Sequence, residues 1–135
     1  MTKTGGEIVT VIYNSLKSSS LRLAVEGNLY RDDARPLNAT TEDIVVSILT
    51  GDNEQIQSGF INLNIYVPDI DLEGVKIKDS KRCTELEIIA NAFVGSISLL
   101  SEYQFALDKM VQSFAVEGIE QHFINCRIKF RCTTF

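Results

Sequence analysis

Apolar and polar residues alternate along "SGFINLNIYVPDID", residues 58–71: Ile61, Leu63, Ile65 and Val67 fall on one side, Phe60, Asn62, Asn64 and Tyr66 on the other. Successive strand side chains point to opposite faces, so this period of two predicts a strand with one face in a core, cut off by Pro68-Asp69. A longer alternation runs through "IEQHFINCRIKFRCTTF", residues 119–135. It sets Ile124, Cys126, Ile128, Phe130 and Cys132 against Asn125, Arg127, Lys129, Arg131 and Thr133. A one-residue slip would bury three cations, so the register of this strand is expected to be firmly set.

"EDIVVSIL" (42–49) is β-rich and compact, and "TGDNEQIQSG" (50–59) carries turn chemistry at Gly51, Asp52 and Asn53. With the strand that follows, these stretches predict an antiparallel hairpin. "MVQSFAV" (110–116) alternates as well, and Glu117-Gly118 supplies a turn into the last strand, making a second hairpin. Two stretches carry helical spacing. In 6–18 it is Ile8, Val9, Ile12 and Leu16, ended by serines; in 80–100 it is Cys83, Leu86, Ala90, Phe93 and Ile97, with Ser80 as N-cap and Gly95 near the end. Residues 21–35 are ambiguous, with a short strand in "NLYRD" before the turn residues around Pro36. "PDIDLEGVKIKD" (68–79) reads as a loop, long for a connection in a compact domain, and such loops are often functional or docked on a neighbour.

The resulting order is α-β-β-β-α-β-β. Helices and strands do not alternate strictly, which argues against a doubly wound parallel sheet. The expected fold is α+β: a mostly antiparallel sheet with two helices packed on one face, as a single domain over residues 1–135.

Composition adds limits rather than a function. At 135 residues the chain is long enough to bury a real core. No apolar run approaches the roughly 20 residues of a membrane span, and the first residues lack the pattern of a secretory signal, so a soluble, intracellular protein is expected. A net charge of −5 with a pI near 4.8 argues against charge-driven nucleic-acid binding. Acidic residues gather at Asp32-Asp33, Glu42-Asp43 and Asp69, Asp71, Glu73, whereas "KIKDSKR" and the last strand are basic, a distribution that suits a partner or an ordinary solvated surface. Cys126 and Cys132 lie about 20 Å apart on one strand, too far for a disulfide, and with Cys83 they are expected to be reduced and buried.

Catalytic chemistry is not indicated. His122, the only histidine, is in step with Ile124 and Cys126 and reads as a residue at the edge of the core. No glycine-rich phosphate loop follows a strand, and no serine or cysteine sits in a nucleophile elbow. Asp69, Asp71 and Glu73 offer oxygen ligands for a hard cation, but the run lacks the glycine and distal glutamate of a calcium loop. No catalytic residue, cofactor or metal site is assigned.

In the order of its elements and in its length the chain resembles the small tail-terminator or tail-completion proteins of long-tailed bacteriophages and prophages. The likeness rests on "EIVTVIYNSL" with "GNLYRDDARP", on "EDIVVSILTGDNEQIQSGFINLNIYVPD", and on the ending from "KRCTELEIIANAF" to "INCRIKFRC". It is a likeness of topology and pattern, and the 68–79 loop departs from it. The resemblance implies a virion structural protein, located in the tail after assembly in the bacterial host cytoplasm. Its partners would be further copies in a ring, commonly a hexamer, together with tail-tube and neck or head-completion proteins. It implies no membrane partner and no specific nucleic acid, and leaves open that DNA passes through the ring.

A ring gives the polar strand faces a purpose, because tyrosine, phenylalanine and arginine are enriched at interfaces. Phe60, Asn62, Asn64 and Tyr66, with Arg127, Lys129 and Arg131, are candidate subunit or tube contacts; the competing reading is a solvated sheet face held by cross-strand pairing. Other functions left open are a neck or head–tail connector component and, from a different class, a small ligand-binding or regulatory domain.

Overall fold

The computed structural model describes residues 2–100 and 102–133. The first helix, α1 (Gly5–Lys17), starts at a capping box: the Thr4 hydroxyl accepts the Glu7 N–H and the Glu7 carboxylate accepts the Thr4 N–H, both at 3.2 Å. The predicted stripe of Ile8, Val9, Ile12 and Leu16 is buried. The serines that stop this helix also start another. Ser18 caps the C-terminus of α1, and the Ser19 hydroxyl accepts the Arg22 N–H at 3.0 Å to open α2 (Ser20–Ala24), which buries Leu21. The described residues therefore hold three helices where the periodicity predicted two.

A short strand, β1 (Leu29–Arg31), runs parallel to β2 (Asp43–Gly51). The β2 strand pairs antiparallel with β3 (Ile56–Pro68), leaving only residues 52–55 as the tip of the predicted hairpin. Asp52 closes that tip by accepting the N–H and hydroxyl of Ser58, each at 3.1 Å. A register shift between Ile48 and Thr50 leaves Leu49 as an extra, half-exposed residue. The opening strand ends where Pro68-Asp69 is expected to cut it: Pro68 is the last residue of β3 and faces Gln121.

Residues 68–79 are not a loop. They contain β4 (Ile70–Leu72) and β5 (Val75–Ile77), joined by Glu73 and Gly74 at φ 52° and 85°. Two successive positive φ values make the type I′ turn whose twist matches a tight hairpin. Glutamate is an unusual residue there, which is why the turn is hard to see in the sequence.

The α3 helix (Ser80–Ser96) buries Cys83, Leu86, Ala90, Phe93 and Val94, and its N-cap is Asp79 rather than Ser80. It stops before residue 100: Ile97 is the C-cap, and β6 (Leu99–Leu100) pairs with β7 (Tyr103–Leu107). The end signal at Gly95 lies one residue from the last helical residue, Ser96, although the apolar spacing continues to Ile97; the sequence reading contains no strand at the short alternation Tyr103, Phe105, Leu107.

The last strand, β9 (Gln121–Thr133), is the centre of the sheet; Thr134 and Phe135 of the predicted strand lie outside the described residues. One edge of β9 pairs with β3 over its whole length. Its other edge pairs with β7 at the C-terminal half and with β8 (Gln112–Ala115) at the N-terminal half. Leu107 faces Ile128 and Gln112 faces Asn125, so residues 108–111 bulge outward between the two, anchored by the Asp108 N–H on the Arg127 carbonyl at 2.8 Å. The sheet order is β1-β2-β3-β9-β7-β6, antiparallel apart from the β1–β2 pair.

One core joins the buried residues of the three helices to Ile61, Leu63, Ile65 and Val67 of β3 and Ile124, Cys126, Ile128, Phe130 and Cys132 of β9. Each such aliphatic side chain contributes about 1.5–3 kcal/mol on burial. All three cysteines are free and buried. Burial pushes the Cys126 thiol up to about 12 and Cys83 to about 11, so neither is a nucleophile near neutral pH.

Candidate functional site

The register of β3 against β9 builds a second face, turned away from the core. Phe60 faces Lys129, Asn62 faces Arg127, Asn64 faces Asn125 and Tyr66 faces Phe123. Residues directly opposite in an antiparallel pair point the same way, so all seven predicted residues, with Arg131 opposite Ser58, share this face. Phe60, Asn62, Asn64, Tyr66 and Arg127 are half-buried, whereas Lys129 and Arg131 are exposed.

Three kinds of contact organise the face. In its middle the Asn125 amide donates to Asn64 Oδ1 at 2.8 Å and to Asn62 Oδ1 at 3.2 Å, which holds the polar rungs in register without a charge. At one end Tyr66, Phe123 and Phe114 form an aromatic row across β3, β9 and β8, with ring centroids 5.9 and 5.7 Å apart. The Arg35 guanidinium caps the row from 4.1 Å above Tyr66. Toward the other end the Arg127 guanidinium lies 4.3 Å from the Phe60 ring centroid. Its Nε is 3.3 Å from an Asp108 oxygen, an ion pair that lacks the alignment of a hydrogen bond.

Lys129 and Arg131 have no ion partner among the described residues. The 108–111 bulge turns the middle of the face into a concavity of about 430 Å³ whose rim includes Leu49, Met110, Phe114 and Lys109. Sequence reasoning missed Asn125, Phe123 and Phe114 as members of this site. Asn125 and Phe123 share the parity of Arg127, so the alternation pointed to them; Phe114 depends on the register of β8, which only the fold supplies.

A second polar cluster lies where the 32–42 crossover meets the sheet, and here the sequence reading of Glu42-Asp43 as surface acids is corrected. Asp43 is fully buried and accepts from the Asn28 N–H, Arg35 Nε and the Thr41 hydroxyl at 2.7–2.8 Å. Arg35 also reaches Gln121, whose amide donates to the Ala39 carbonyl. Glu42 takes two hydrogen bonds from Arg82, at 2.9 and 2.7 Å, and Arg82 donates further to the Ala24 carbonyl. Hydrogen bonding to Glu42 holds the Arg82 guanidinium protonated above its already high ordinary range.

His122 Nδ1 lies 2.7 Å from Asp69 Oδ1, and the imidazole sits at the margin of the core. Thr41, Glu42, Asp69 and Arg82 border a cleft of about 570 Å³, but each of the four is committed to a structural partner. Asp71 faces Lys76 across the β4–β5 hairpin and Glu73 is in its turn, so the acidic run does not converge on a cation. Among the described residues no three histidine, cysteine or acidic side chains are placed to hold a metal ion, and no helix is long and apolar enough to cross a membrane.

The fold and the two polar clusters thus define an α+β domain whose organised surface is a sheet face. The sequence matches no family model and no curated protein. Among solved structures, a chain from the virion of a native gene transfer agent particle is similar over 91% of this chain and 92% of that one, with a TM-score of 0.55 and 15% identity. At that identity the likeness is one of fold.

Proposed function

We propose that this chain is a structural protein of a phage-like virion, not an enzyme, and that it acts by assembling into a ring. In this reading the ring, a hexamer, caps the tail tube and joins it to the head, with tail-tube and neck or head-completion proteins as its neighbours. The observation that carries the reading is end-to-end likeness of fold to a virion chain. It is supported by a face built of aromatic, asparagine and arginine side chains, the composition of an interface, and by charged groups elsewhere that are tied to structural partners.

Phe60, Asn62, Asn64 and Tyr66, with Arg127, Lys129 and Arg131, would then meet the next subunit or the tube. Replacing both Phe60 and Tyr66 by serine removes the two rings under Arg127 and Arg35 while leaving every core residue in place. The double variant is expected to lose ring mass in light scattering at concentrations where the unmodified chain assembles, and to keep a single cooperative unfolding transition. Unchanged assembly, or a chain that no longer folds, would remove this face from the account.

A further inference from the structure

The hairpin β4–β5 is an arm that its own subunit does not cover. Ile70 faces Ile77 and Leu72 faces Val75, so one side of the arm is four aliphatic side chains, while Asp71 and Lys76 occupy the other. These four are 37–61% exposed and none belongs to the core. Two strands of three residues are marginal in water without something packed on them.

The concavity on the polar sheet face is the complementary shape. Its rim carries apolar residues that are also uncovered, Leu49 at 48%, Met110 at 75% and Phe114 at 44% exposed. The cations Lys109 and Arg127 line it as well, the latter paired with Asp108, in a chain whose net charge is −5. The tip of the arm carries an exposed carboxylate, Glu73.

We propose that the arm of one copy seats in this concavity on a second copy, aliphatic side against Leu49, Met110 and Phe114, with Glu73 among the cations. This rests on the ring reading and names its contact. Arm and concavity are different surfaces of one chain, so copies can repeat the contact head-to-tail and close into a ring, whereas reciprocal seating of two arms would stop at a two-fold dimer of twice 15.1 kDa. It also explains why a stretch of aliphatic residues is tolerated in the open on a monomer.

Two experiments test the seat. Leu72→Asp with Val75→Asp should abolish ring mass and leave the unfolding curve of the monomer unchanged, since neither residue is in the core. Copies carrying Leu72→Cys mixed with copies carrying Met110→Cys should give, on mild oxidation, a covalent species of twice 15.1 kDa that neither gives alone. The native thiols do not compete, being buried. A ring that survives the double aspartate variant would overturn the arm and leave the ring reading standing. A monomeric disulfide in a chain carrying both cysteines would show the arm packing on its own subunit, and would equally overturn it. An unmodified chain that is monomeric throughout would remove the ring reading and the arm with it.

Discussion

Replacing Asp43 with alanine is expected to destabilise the fold by about 3–5 kcal/mol, the cost of breaking a buried ion pair by removing one partner. The side chain of Asp43 is completely buried and that of Arg35 is 10% exposed, so the guanidinium would remain in the interior without its counter-charge. Two further donors, the Asn28 N–H and the Thr41 hydroxyl, would lose their acceptor at the same time. These contacts tie the 32–42 crossover to the start of β2 and, through Gln121, to the start of β9. With a urea dependence of about 1–3 kcal/mol per molar, the midpoint should fall by at least about 1 M. A shift within the scatter of surface variants, about 0.5 kcal/mol, would mean that the crossover is not held this way.

Gly59→Ala is expected to cost about 3 kcal/mol, at the upper end of the range for overpacking. Gly59 lies inside β3 where β2 and β9 both approach it. A methyl group there would sit 2.2 Å from the Thr50 carbonyl oxygen, 2.6 Å from the Gly51 Cα and 2.8 Å from the Phe130 ring. Two of those neighbours are backbone, so relief requires the β2–β3 hairpin to open rather than a rotamer to change. Amide exchange should therefore rise along Thr50–Gly51 and the facing part of β3, with a lower urea midpoint. An alanine variant as stable as the parent would contradict the close approach.

How much of this was written in the sequence differs from element to element. The β3 and β9 alternations were legible because each strand has one face in the core, which forces a period of two along the whole of β3 and along β9 from Phe123 onward. The stripes of α1 and α3 were legible for the same reason at helical spacing. The α2 turn was not, since its only local signal is which of three serines caps it. The arm was hidden by a Glu-Gly turn in place of Asn-Gly, and β7 by an apolar pattern that also fits the end of a helix.

Buried charge was the least legible feature. Glu42 meets Arg82 across 40 residues of sequence, and only topology brings them together. The candidate face was half visible: alternation placed its seven residues on common sides of two strands, but their pairing, the Asn125 bridge and the Phe114–Phe123–Tyr66 row follow from register.

The measurement that bears most directly on the account is the mass of the unmodified chain in solution, by light scattering across a wide concentration range. A closed ring predicts a discrete species at six times 15.1 kDa that grows with concentration at the expense of the monomer. A chain that stays at 15.1 kDa at every concentration would contradict assembly through its own surfaces and, with it, the central claim.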